Sequence, residues 1–232
     1  MGSGTDSATD TLIVGTPASG GGAITFVSPA GNDANDCLSL QSACATIQAG
    51  VDAVDAGGTV VVLGGAYSGG VTINKALKLV CEAQFGGSLA ASISGGPGIT
   101  IAASDVTVSG FTFQGFATGA TAGVVVNSGS GVRISGNAFI DLPSDAGLHR
   151  NGGTVDAANN WWGCNAGPNT ANCTKATGGA DADPWLVATL EATPNPAPPG
   201  ESVDLIVDVS RNSDGEVFSN KISRPVTVSA DG

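Results

Sequence analysis

Four stretches of the chain fall into register with one another: Gly70–Phe85 (GVTINKALKLVCEAQF), Gly98–Phe113 (GITIAASDVTVSGFTF), Gly123–Phe139 (GVVVNSGSGVRISGNAF) and Gly147–Trp162 (GLHRNGGTVDAANNWW). Their first glycines stand 28, 25 and 24 residues apart. Each reads as a glycine, a short apolar strand, a tight bend and a second apolar strand. A unit of that length cannot bury its apolar face alone, so neighbours must stack and share one core. Alternate positions are apolar: Val71/Ile73 and Leu77/Leu79, Ile99/Ile101 and Val106/Val108, Val124/Val126 and Val132/Ile134. Period two in short runs, repeated once per coil, pairs each strand in parallel with its equivalent in the next coil. The expected fold class is all-β, a parallel β-helix of about five coils, roughly 24 Å long at about 4.8 Å per coil.

Glycine makes up 36 of 232 residues, mostly between short β-branched runs, which suits tight bends. Charge is scarce and acidic: 8 basic against 20 acidic residues, net −12. That balance argues against nucleic acid, which needs a basic surface, and against an anionic membrane surface. No apolar run approaches the roughly 18 residues of a membrane span, so no membrane insertion is expected. Met1-Gly2-Ser3-Gly4 leads straight into polar residues, unlike a secretory leader, and reads as a vector-derived or processed start.

Of five cysteines, Cys37 and Cys44 flank six residues and Cys164 and Cys173 flank eight, both in loop-like sequence. Two local disulfides are the simplest reading and imply an oxidising compartment; four thiols in a cytosolic protein are the alternative. The spacings lack the short C-x₂₋₄-C of a zinc site, and the single His149 lies far from them in sequence. Cys81 aligns with Gly110 and Gly136 inside an apolar strand and is expected as a buried thiol.

The chain divides into an N-terminal extension (1–24) with one strand candidate, Thr11–Val14, a solenoid (25–184), and a C-terminal region (185–232). Ala43–Ala56 carries Ile47, Val51 and Val54 at helical spacing before Gly57-Gly58, which predicts an amphipathic helix capping the N-terminal end. A cap is needed because an open solenoid end exposes core and unpaired strand edges. Trp162 aligns with Phe139 and Phe113 and should face inward in the closing coil; Trp161 then points outward or under the following loop. Leu186–Ala192, Ser202–Val209 and Pro225–Ser229 alternate like strands around a proline-rich stretch, Pro194–Gly200. They predict a partial β-sandwich, since a complete immunoglobulin-like one needs about seven strands.

The run Phe26–Cys37 (FVSPAGNDANDC) followed by Cys44-Ala-Thr-Ile47 resembles the N-terminal cap of bacterial pectate-lyase-like proteins, whose fold is a right-handed parallel β-helix. Gly57–Tyr67 (GGTVVVLGGAY) and Val71–Lys75 continue the likeness. Asn159-Asn160-Trp161-Trp162-Gly163 with Gly167-Pro168-Asn169 resembles the closing coil of secreted and surface β-helix proteins, often followed by an immunoglobulin-like module. The resemblance covers roughly residues 25–192. It implies an extracellular, cell-surface setting, while its members range from lyases and hydrolases to adhesins and structural proteins.

A lyase of this fold needs acids that hold Ca²⁺ and a Lys or Arg base, and a hydrolase needs clustered carboxylates. The coils hold few such groups. Asp105 at a bend and Asp156 in a strand occupy different registers. The best patch is Asp141, Asp145, His149 and Arg150; Arg150 aligns with inward-facing Ile101 and Val126, so it either snorkels out or pairs with an acid. Asp181 and Asp183, near Asn169 and Asn172, offer oxygen ligands for Ca²⁺. Asn172-Cys173-Thr174 fits a glycosylation sequon, discounted because Cys173 is expected to be bridged. A threonine ice-binding array begins with Thr72 and Thr100 but breaks at Val125 and His149. The expectation is a non-enzymatic extracellular building block of a fibre or adhesive stalk, without cofactor or metal. Its Leu12, Ile13 and Val14 would be donated as a strand to the 185–232 region of a neighbouring copy, or the chain would pair with other surface proteins. The competing reading is a module that binds or degrades polysaccharide.

Overall fold

In a strand only every second side chain can face the core, and the coil length here lets three such strands enclose one apolar interior. A computed structural model describes residues 24–81, 91–116, 122–140, 142, 147–193 and 204–218. It is an all-β parallel solenoid with very little helix. The first sheet stacks β1 (Ile24–Val27), β2 (Thr59–Val62), β5 (Leu77–Cys81), β8 (Val106–Ser109), β11 (Val132–Ser135) and β14 (Val155–Asp156) in that order. The second stacks β3 (Gly65–Ser68), β6 (Ala91–Ser94), β9 (Phe111–Phe113) and β12 (Ala138–Phe139). The third stacks β4 (Val71–Ile73), β7 (Ile99–Ile101), β10 (Val124–Val126), β13 (Leu148–Arg150) and β15 (Ala176–Thr177).

Four turns give a strand to all three sheets, so the expectation of about five coils is corrected to about four. The turn made of β14 and β15 has only a single bridge, Ala138 to Trp161, between them. The expected two strands per repeat are also corrected to three. The second apolar run breaks at Gly110 (φ +86°), Gly136 (φ +67°) and Asn159 (φ +58°), stacked positions that turn the chain onto the next sheet. Gly110 is held to glycine by crowding as well, since a Cβ there would stand 2.6 Å from the Cys81 carbonyl oxygen.

The registers match the sequence alignment: Val71, Ile99, Val124 and Leu148 form one inward column, and Leu77 and Val106 another. One apolar cluster runs from Val27 and Ile47 through these columns to Trp162, Ala176 and Ala182. Each large side chain so buried contributes roughly 1.5–3 kcal/mol relative to exposure. Phe113, Phe139 and Trp162 stack at 4.9 and 4.7 Å between ring centroids, which puts Trp162 inward in the last layer. Trp161 is half-buried.

Buried polar groups follow the same columns. Asn137 and Asn160, both fully buried, form a ladder beneath the chain turn. Asn137 Oδ1 accepts the Phe111 N–H at 3.0 Å, and Asn160 Oδ1 accepts the Asn137 N–H at 2.9 Å. Their amide nitrogens donate to the carbonyls of Val108 and Ile134. Each side chain thus supplies the acceptor that the backbone lacks where it leaves one sheet for the next.

The helix, α1 (Ile47–Ala53), is shorter than the expected 43–56. Its preceding residues are claimed by other partners: Cys44 bridges β1 at Val27, and the Asp33 carboxylate accepts the N–H groups of Ala45 and Thr46. Thr46 caps the first turn through Ala49 N–H, and Lys75 donates to the carbonyls of Asp52 in the last turn and of Val54 just beyond it. The helix buries Ile47 and Val51 and lies close on β1 at Gly50, where a Cβ would meet Val27 at 2.5 Å.

Beyond the solenoid, β16 (Leu186–Thr193) and β17 (Asp204–Asn212) pair antiparallel, with a register shift between Val187 and Thr189. The observed second sheet type is therefore a two-stranded antiparallel pair. The expected strand at Pro225–Ser229 lies outside the described residues.

Candidate functional site

Both ends of the column are stapled. Cys37 is bonded to Cys44, with Cα atoms 5.0 Å apart, and Cys164 to Cys173, at 5.5 Å. The first loop does more than close on itself. Phe26 N–H donates to Cys37 O, and Cys44 N–H donates to Phe26 O, so the loop occupies the outer edge of β1. Its exposed face carries Leu38 and Leu40. Two exposed carboxylates brace it, Asp36 on the loop itself and Asp33 on the backbone that follows it. The Thr46 N–H, the Thr46 hydroxyl and the Ala45 N–H keep the Asp33 carboxyl below the usual range, and the Ser42 hydroxyl and Leu38 N–H do the same for Asp36. Cys81 stands outside both disulfides and is half-exposed rather than buried; its sulfur accepts the Ala91 N–H at 3.1 Å.

The C-terminal end is tied just as closely. Leu186, fully buried, donates its N–H to Asn160 O, and Asn159 donates its N–H to Pro184 O. Asn212 Nδ2 donates to Asn159 Oδ1 at 3.1 Å, and Ser213 N–H donates to Trp185 O. Trp185 covers Gly167, whose missing Cβ would stand 2.6 Å from the indole, and donates Nε1–H to Asn165 O. The Asn165 side chain in turn pairs with both the N–H and the C=O of Ala188 on the edge of β16.

The candidate patch is only partly assembled. Asp141 and Asp145 lie outside the described residues, as do Leu12, Ile13 and Val14. His149 sits on the outer face of β13, with Nδ1 2.7 Å from Thr177 Oγ1 and Nε2 2.8 Å from Asn151 Oδ1. Asn151 donates onward to Asn127. The outer row reads Thr72, Thr100, Val125, His149, Thr177, so the threonine array is interrupted. Arg150 does occupy the inward register opposite Val126. Its side chain turns out through the corner, where Nε donates to Gly178 O at 2.7 Å and Nη1 to Gly153 O. Among the described residues it pairs with no acid.

The sequence reading missed what surrounds that guanidinium. Arg150, Arg133, Thr154, Asp156 and Asp181 line an open groove of about 410 Å³ along the corner of the last turns. Arg133 and Asp156 form an ion pair at 3.4 Å. Asp156 and Asp181 stand in neighbouring rungs, joined by a parallel bridge. The repeats end before Asp181, which is why the stacking was not legible; the signal was a further Gly-Gly corner at 178–179 following β15, as Gly152-Gly153 follows β13. Asp181 and Asp183 are linked by a hydrogen bond from backbone to side chain, Asp183 N–H to Asp181 Oδ1 at 3.4 Å. No cluster of three or more metal-ligating side chains occurs among the described residues.

Searches of family models, curated proteins and solved structures found no match to this chain. Two disulfides are consistent with an extracellular location, and among the described residues no helix is long and apolar enough to cross a membrane.

Proposed function

We propose that this chain is a secreted, non-enzymatic structural module, a rigid segment of a cell-surface fibre or adhesive stalk. In this reading it is a short right-handed solenoid of the pectate-lyase-like kind, plugged at one end by α1 and continued at the other by the start of an immunoglobulin-like module. The supporting observation is mechanical continuity. One apolar cluster spans the column, a disulfide staples each end, and the antiparallel pair is joined to the last coil through Leu186, Asn212 and Ser213. A spacer needs this: load passes from end to end without crossing a loose joint.

Self-association is assigned to the C-terminal pair. The edge of β1 is already occupied by the Cys37–Cys44 loop, so an incoming strand finds no template there. A two-stranded antiparallel pair is marginal alone and gains from an added strand. Leu12, Ile13 and Val14 of a neighbour are the proposed donor, and a head-to-tail contact of this kind propagates into a fibre unless it closes a ring. Sedimentation and negative-stain imaging across a concentration series test this. Long assemblies that vanish on deletion of residues 5–16, with folded monomers remaining, are the expected result. A monomer at every concentration, or assembly unaffected by the deletion, rejects it.

A further inference from the structure

The corner groove holds unused hydrogen-bonding capacity of both kinds, with no net charge. Arg133 and Asp156 neutralise each other. Arg150 and Asp181 carry opposite charges in the same groove yet form no ion pair among the described residues. Two backbone carbonyls fix the guanidinium through Nε and Nη1, which leaves Nη2 with no partner among the described residues. Nη2 lies at the groove wall, 3.0 Å from where a Cβ on Gly179 would stand. Asp181 uses Oδ1 on the Asp183 N–H, and its Oδ2 has no partner among the described residues. Thr154 adds a hydroxyl that both donates and accepts.

We propose that this groove, between Arg150 and Asp181, binds one residue of a neutral saccharide through a pair of adjacent hydroxyls. One hydroxyl oxygen accepts from Arg150 Nη2, and its neighbour donates to Asp181 Oδ2, so the ligand bridges two charges the protein holds apart. An anion gains from Arg150 but is opposed by Asp156 and Asp181; a cation meets the reverse. A neutral ligand with a donor and an acceptor on adjacent atoms satisfies both groups. The volume lies in the roughly 300–1,000 Å³ range of small-ligand clefts. The site is independent of strand donation, since it lies on the solenoid and uses none of the residues proposed to assemble.

Amide chemical-shift titration of the intact chain tests it, with maltopentaose, xylopentaose and mannopentaose as neutral probes and tetragalacturonate as the anionic comparator. At least one neutral probe should give saturable shifts centred on Thr154, Gly179 and Asp181 below about 10 mM. Asp181→Asn should weaken that binding about tenfold, because the oriented acceptor loses its charge, with an unchanged melting temperature. Arg150→Lys should weaken it similarly, since an ammonium cannot hold both carbonyls and still present a donor. Because Arg150 also bonds backbone, the Asp181 variant decides if the Arg150 variant unfolds. Absence of saturable shifts with every neutral probe, shifts centred elsewhere, preference for tetragalacturonate, or full affinity in Asp181→Asn each overturns the assignment.

Discussion

At the scale of single residues, the buried asparagine pair ties neighbouring coils together through its side chains. Asn160 Oδ1 accepts from both the backbone and the side chain of Asn137, while its Nδ2 donates to Ile134 O and Ala157 O. Removing it strands several buried groups at once, at about 1–3 kcal/mol per unsatisfied group. Asn160→Ala should therefore cost about 2–5 kcal/mol in urea unfolding, in the tail of single-substitution effects. Asn160→Asp, of the same shape, should fare no better, because its second oxygen would face two carbonyls. A loss below about 1 kcal/mol in both variants would show that the ladder is ornamental. Asp33 makes a second residue-scale case. Its folded carboxyl is held below the ordinary 3.8, so its stabilising effect is full above that value and is lost as pH falls through the folded one. Asp33→Asn should flatten the acid limb of a stability-against-pH curve below about pH 4. An acid limb identical to that of the native chain would contradict the role given to the carboxylate.

At the scale of elements, what the sequence revealed depended on whether the signal was a period. Inward columns such as Val71, Ile99, Val124 and Leu148 were legible because alternation within a strand and spacing between coils both report them. The second sheet was not, because β9 and β12 follow β8 and β11 after a single turning glycine, or a glycine and an asparagine, and read as one longer strand. Helix length was overstated for a similar reason: the period of Ile47, Val51 and Val54 is real, but Asp33 and β1 compete for the preceding backbone. One wall of the groove, Gly179 and Asp181, lay beyond the last recognisable repeat. One element has a role that spacing alone does not disclose, namely the Cys37–Cys44 loop on the edge of β1. Opening it by Cys37→Ser with Cys44→Ser should cost about 2–3 kcal/mol for a loop this short, and should also uncover Phe26 N–H and C=O. The expected signature is concentration-dependent association that the oxidised chain lacks, read by light scattering. Lower stability without association would mean that the loop stays on β1 unaided.

At the scale of the whole molecule, the question is whether solenoid and antiparallel pair form one cooperative body. Leu186 lies at their junction, fully buried, with its N–H on Asn160 O, and Asn160 is itself a member of the ladder. Loosening the junction therefore reaches the core through hydrogen bonds as well as through packing. Asn212 and Ser213, at the far end of β17, return to Asn159 and Trp185, so the pair is held at two points rather than one. Trp185 fluorescence in a variant lacking the other two tryptophans, through Trp161→Phe and Trp162→Phe, reports on the junction, while far-ultraviolet circular dichroism reports mostly on the solenoid. In that background the two probes should trace one transition against denaturant, as two-state unfolding requires. Adding Leu186→Ala removes a buried side chain at a cost of about 2–5 kcal/mol. It should separate the transitions, with Trp185 moving to lower denaturant first. If the probes already disagree before Leu186 is changed, the antiparallel pair is a separate unit hinged on the solenoid, and load could not pass rigidly between them.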